Sequence, residues 1–165
     1  MVLGMSLAAF TTLHTAIALV GIASGIVAVA RMLKVRRLNG WTTLFLFSTA
    51  LTTITGFMFP FTEILPSHAV GVISLAALCV VFVALYVKKM EDGWRVAYIA
   101  GAVLALYLNT FVGVVQSFQK VSFLRLLAPT QAEPPFVIAQ GVVLLFFIAA
   151  GVAVVRKFRP GAIYL

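Results

Sequence analysis

A chain of 165 residues that is 63% hydrophobic and only 10% charged is excluded from the ordinary water-soluble domains, in which about a quarter of residues carry charge. Its formal charge of +8 lies between the apolar runs, which directs it to anionic lipid headgroups rather than to nucleic acid. The single cysteine, Cys79, falls inside an apolar run, so a disulfide framework and a cysteine-based metal site are both excluded.

A bilayer core of about 30 Å needs about 20 mostly apolar residues per helix. Five stretches meet that need without an interior charge, at 7–30, 41–61, 67–87, 96–119 and 135–155. The first could be read as a cleaved signal, because Ala28-Val29-Ala30 loosely resembles a small-residue cleavage site. No positive charge precedes it, however, and its length exceeds a signal core of about 7–15 residues, which favours a retained span. Asn39-Gly40 then marks a turn, the second span closes at Phe59-Pro60, and Pro66-Ser67 opens the third with Ser67 as N-cap. Asp92-Gly93 separates the third and fourth spans. In the longest connection, 118–134, the stretch Phe118 to Leu127 is expected to form a short interfacial helix with Gln119, Lys120 and Arg125 towards water. Pro134-Pro135 starts the last span. The whole chain, 1–165, thus reads as one all-α transmembrane domain, a bundle of five helices.

Orientation follows from the short loops, whose basic residues favour the cytoplasm. Arg31, Lys34, Arg36, Arg37, Lys88, Lys89, Arg95, Arg156, Lys157 and Arg159 fall on one side, and Lys120 and Arg125 on the other. Ten against two places the N-terminus outside and the C-terminus in the cytoplasm. Trp41 and Trp94 then begin their helices at the inner headgroup level, where indole prefers to sit.

The first two hairpins read alike. Arg36-Arg37-Leu38-Asn39-Gly40-Trp41 is matched by Lys88-Lys89-Met90-Glu91-Asp92-Gly93-Trp94, and His14 and His68 precede the two tryptophans by 27 and 26 residues. Either spans 1–2 and 3–4 form a parallel repeat with the fifth span added, or the turns are alike because interfacial rules put basic residues and Gly-Trp there. The second reading does not account for the paired histidines.

Polar residues within the spans share a level. At 1.5 Å per residue, His14 stands about 25 Å above Arg31, Thr55 about 21 Å above Trp41, Asn109 about 22 Å above Trp94 and Gln140 about 24 Å above Arg156, with His68 and Gln116 nearer 30 Å. On the first span His14 continues a small-residue stripe of Ala18, Gly21, Gly25 and Ala28, the kind of face that packs against another membrane helix. These alignments mark His14, Thr52, Thr55, His68, Asn109, Gln116 and Gln140 as candidate lining of an outward-facing pocket. The alternative is that each hydroxyl bonds its own backbone and each amide joins two helices.

Two histidines on different helices are the minimum for a bis-histidine haem, with His14 and His68 as its ligands; there is only one such pair, and His68 lies nearer the mouth. A quinone or lipid headgroup on His14, Asn109 and Gln140 would need only an apolar slot with a few donors. Two histidines fall short of a zinc or copper site, although Glu63 and Glu133 lie on the same side as His68. No acid stands inside any span, against proton-driven transport. Hydrolase and phosphate-binding motifs are absent, so no catalytic residue is assigned.

Leu13-His14 with Gly21 and Gly25, the Leu38-Asn39-Gly40-Trp41 turn, the run Thr52-Thr53-Ile54-Thr55-Gly56-Phe57-Met58-Phe59-Pro60, and Pro129-Thr130-Gln131-Ala132-Glu133-Pro134-Pro135-Phe136 resemble a group of small bacterial inner-membrane proteins of unknown function. The resemblance implies a bacterial cytoplasmic membrane and no particular activity. The leading expectation is a non-catalytic binding or assembly component, acting with a membrane-protein partner or as a homo-oligomer. The alternative is an electron-transfer protein holding haem or quinone through His14 and His68.

Overall fold

The computed structural model describes residues 2–34, 40–60 and 66–158. Their regular elements are helices: α1 (Leu7–Leu33), α2 (Gly40–Gly56), α3 (Pro66–Phe82), which runs on into a π-helical turn at Val83–Val87, α4 (Trp94–Lys120), α5 (Ser122–Leu127) and α6 (Pro134–Lys157). Arg36, Arg37, Leu38, Asn39, Glu63 and Arg159 lie outside the described residues, and with them the first of the two turns on which the repeat comparison rests.

Local chemistry explains where the helices stop. Ser6 caps α1, its Oγ accepting from the Ala9 N–H at 3.2 Å. α2 closes at Gly56, short of the expected end at 61. Pro60 has no N–H to continue the ladder and disfavours helical backbone at Phe59. The chain instead turns with Phe57 N–H on the Ile54 carbonyl and Met58 N–H on the Thr55 carbonyl, both at 3.1 Å. At the end of α3 the Lys88 N–H reaches the Val83 carbonyl five residues back at 2.9 Å, the spacing of a π-turn. Left-handed backbone at Lys89 and Met90 (φ 47° and 58°) then tucks the Met90 side chain inside, and Lys88 Nζ sits 5.7 Å from the centre of the Trp94 ring. The helix expected over 118–127 is divided: α4 continues to Lys120, Val121 is extended, and α5 follows.

Four helical stretches, Leu7–Leu33, Ser67–Val87, Trp94–Lys120 and Pro134–Lys157, are long and apolar enough to cross a membrane. α2 has 17 residues, about 25 Å of helix against a core of about 30 Å. The molecule is an all-helical bundle with the character of an integral, multi-pass membrane protein.

α4 is the hub, packing against α1, α2, α3 and α6. Its Tyr98, Ile99, Ala102, Ala105 and Leu106 are all buried. Helices approach closely where a side chain is missing. A Cβ on Gly25 would stand 2.6 Å from Leu106 Cδ1 and 2.7 Å from Phe45 Cδ2, and one on Gly101 would stand 2.7 Å from Val81 Cγ2. The inward part of the α1 stripe is therefore Gly21, Gly25 and Ala28, all buried. A single apolar cluster joins Ala28 and Met32 of α1, Ala84 and Met90 after α3, Tyr98 and Ile99 of α4, and Val154 and Phe158 at the end of α6. The helix ends that carry most of the basic residues thus meet. α6 leaves Val137, Ile138, Val142, Leu145 and Phe146 exposed, as a lipid-facing helix would.

Candidate functional site

The polar residues of the spans fall into distinct neighbourhoods. The first is at His14. Its Nδ1 lies 2.8 Å from Thr55 Oγ1, joining α1 to α2. The Thr55 hydroxyl also lies 2.7 Å from the Leu51 carbonyl, so its one hydrogen is directed there and the imidazole is the donor to Thr55. That tautomer leaves Nε2 as an acceptor. The turn forced by Pro60 lays Phe59 over this pair, edge-on to His14 at 5.1 Å and tilted against Phe10 at 4.9 Å.

The second neighbourhood lies two helical turns further along α1, at Gly21. A Cβ there would be 2.9 Å from Asn109 Nδ2 and 3.3 Å from both Ser48 Oγ and Thr49 Oγ1. Three helices therefore bring an amide and two hydroxyls around one missing side chain. Ser48 donates to the Leu44 carbonyl at 2.6 Å. Thr49 Oγ1 and Asn109 Nδ2 are buried with no protein partner among the described residues. Thr49 is 1% exposed, and an unmade hydrogen bond in such a place costs about 1–3 kcal/mol. Both groups retain unused hydrogen-bonding capacity.

The remaining candidates lie elsewhere. Thr52 donates to the Ser48 carbonyl at 2.9 Å. His68 stacks on Phe57 at 6.1 Å, so the two imidazoles associate with different aromatic rings of the segment after α2. Gln140 donates through Nε2 to the Phe111 carbonyl at 3.2 Å, bracing α6 against α4, while its Oε1 is buried and unpartnered among the described residues. Gln116 begins a chain of amides at the end of α4. Its Nε2 is 3.4 Å from Gln119 Oε1, Gln119 Nε2 is 3.5 Å from Gln131 Oε1, and Gln131 Nε2 donates to the Val115 carbonyl at 3.0 Å. Among the described residues no three His, Cys, Asp or Glu side chains converge.

Two features escaped the reading of the sequence. Buried hydroxyls are not confined to the level of His14, since Ser24, Thr42, Ser48, Thr49, Thr53 and Ser74 are also buried. Several satisfy themselves on their own helix, as Ser24 does on Val20 at 2.6 Å and Thr53 on Thr49 at 2.9 Å. Thr53 also meets Ser74 across α2 and α3 at 3.2 Å. The other feature is a cleft of about 370 Å³ in the connection before α6, lined by Phe118, Gln119, Arg125, Pro129, Thr130 and Gln131. Its rim is shaped by Glu133, whose carboxylate accepts from the Thr130 N–H and hydroxyl at 3.1 and 2.9 Å and from the Ala132 N–H at 3.1 Å. Desolvation raises the Glu133 carboxyl, but the hydrogen bonds together outweigh it and hold the group below its ordinary value.

What the arrangement assembles inside an apolar bundle is a set of hydrogen-bonding side chains, of which Thr49 Oγ1 and Asn109 Nδ2 are unpartnered among the described residues. Comparisons with protein-family models, with curated proteins and with solved structures find no match for this chain.

Proposed function

We propose that the protein is a five-span membrane protein of the bacterial cytoplasmic membrane, N-terminus outside, that works as a non-catalytic binding or assembly component. The observation that carries the binding role is the pair of buried groups at Gly21, Asn109 Nδ2 and Thr49 Oγ1, that are unpartnered among the described residues, two turns from the His14–Thr55 bond. Side chains with spare hydrogen-bonding capacity inside an apolar bundle are what the carbonyl or hydroxyl of a small ligand would engage. The topology is supported by the shared apolar cluster at the basic helix ends. The last turn of α1 carries Arg31, α4 begins beside Arg95, and α6 ends with Arg156 and Lys157.

The test is native mass spectrometry of the protein released from mild detergent. A retained small molecule is expected in the wild type, and its loss is expected in the His14→Phe/Asn109→Leu double variant. Identical spectra from a folded double variant would sink the binding role. Topology is tested separately in a Cys79→Ala background with single cysteines at Ser6 and Lys157. An impermeant maleimide applied to intact cells should reach the first position only.

One observation favours a second reading, electron transfer with haem or quinone. Thr55 holds His14 by Nδ1, and a ring nitrogen fixed in this way orients the opposite one for a ligand. A reduced-minus-oxidised absorption spectrum without haem bands, after expression with adequate haem, would remove the haem form of that reading.

A further inference from the structure

Between α4 and α6, on the outside of the bundle, runs a groove of about 440 Å³. Its floor includes Ile99, Tyr107, Leu144, Phe147 and Gly151, and of all its lining residues only Arg156 is charged. From Leu144 to Arg156 the wall is about 18 Å long, close to the roughly 15 Å of one leaflet of a bilayer core. Gly151 opens the groove, because its hydrogen replaces a side chain that would otherwise fill it; a Cβ there would touch only Val103 Cγ1, at 3.5 Å. Arg95 is not part of the groove lining; its Nη1 donates to the carbonyls of Val155 and Phe158 at 2.9 and 2.6 Å, which braces the end of α6 that carries Arg156.

From this geometry we infer that the groove is a binding site for one anionic phospholipid, an acyl chain lying along α4 and α6 and the phosphate meeting Arg156. The charge pattern selects the occupant. A neutral helix from a partner would use the apolar length but would leave the arginine end uncompensated, whereas a phosphodiester with one acyl chain matches both. A guanidinium near a phosphate also offers two parallel donors, which a lysine in the same place would not. The placement in the inner leaflet rests on the orientation proposed above. The binding itself does not, so detergent measurements separate the two.

Thermal unfolding in detergent, with added dioleoyl phosphatidylglycerol or dioleoyl phosphatidylcholine, tests the site. Phosphatidylglycerol is expected to raise the midpoint in a saturable, concentration-dependent way, and phosphatidylcholine to do so less. Arg156→Gln should weaken the phosphatidylglycerol effect about fivefold and erase the preference, while Lys157→Gln, one residue along and outside the groove, should leave it intact. Ala100→Phe, which fills the groove from its exposed edge, should abolish the response to both lipids in a protein that still elutes as a single folded species. Equal stabilisation by both lipids, or equal loss in Lys157→Gln and Arg156→Gln, would overturn the proposal. So would a lipid-independent dimer that Ala100→Phe disrupts, since a second copy would then be the occupant. If these results hold but the maleimide labelling inverts, the site stands and the orientation falls.

Discussion

The bond between His14 and Thr55 can be weighed by a double-mutant cycle. Thr55→Val keeps the shape of the side chain but removes the oxygen that His14 Nδ1 meets at 2.8 Å. It leaves an imidazole N–H half-buried beneath Phe59. His14→Phe keeps a ring against Phe59 and removes the donor. The Thr55 hydroxyl also bonds the Leu51 carbonyl, and that loss occurs in the single and the double variant alike, so it cancels. Interhelical hydrogen bonds in membrane bundles average about 0.6 kcal/mol and reach about 1.7 kcal/mol. The good geometry here, and the aromatic lid that thins water around it, place the expected coupling at about 1 kcal/mol. Unfolding free energies of the four proteins in mixed micelles give that number directly. Thr55→Ser should lie close to wild type because the acceptor remains. A coupling indistinguishable from zero, or a serine variant as unstable as the valine one, would show that His14 is positioned by packing alone.

Two further outcomes are expected. Gly25→Ala places a methyl about 1 Å inside the contact distance of Leu106 and Phe45, which are 1% and 0% exposed, so overpacking of about 1–3 kcal/mol should exceed the helix-propensity gain of at most about 1 kcal/mol. Gly141→Ala, with nothing within 4 Å of its Cβ, should keep that gain, and equal midpoints for the two variants would contradict the packing described. Glu133 is held below its ordinary value, so the order it lends the connection before α6 is present above the unfolded carboxyl value and lost as pH falls through the folded one. Protection of the Thr130 and Ala132 amides, taken relative to the intrinsic exchange rate at each pH, should fall on acidification through the carboxylate range and lose that dependence in Glu133→Gln; pH-independent protection in the wild type would refute it.

What could be read from residues alone was what depends on one helix at a time. The four long apolar helices followed from length and apolarity, whereas α2 ends short of its expected close at 61. The inward face of α1 followed from the spacing of Gly21, Gly25 and Ala28, which are buried. What depends on several helices at once was not legible. Depth alone grouped Asn109 and Gln140, yet Asn109 faces Gly21 and Gln140 faces the Phe111 carbonyl, because opposite sides of α4 serve different neighbours. The effect of Pro60 was seen as an end signal, but not that the resulting turn would bring Phe59 back over His14. Likewise, no spacing rule announces that Gln131, at a left-handed position with φ 61°, returns to the Val115 carbonyl and shapes a cleft.

The central place of α4 has a consequence for biogenesis. Chain order delivers α1 and α2 to the membrane well before the helix against which both pack. Until residues 94–120 emerge, the side of this hairpin that packs on α4 lacks that neighbour. The buried hydroxyls of Ser24 and Ser48 already bond carbonyls of their own helices, so they can wait in hydrocarbon at little cost. Asn109 arrives with α4 and has no such local outlet, so its amide is committed to whatever it finds on docking.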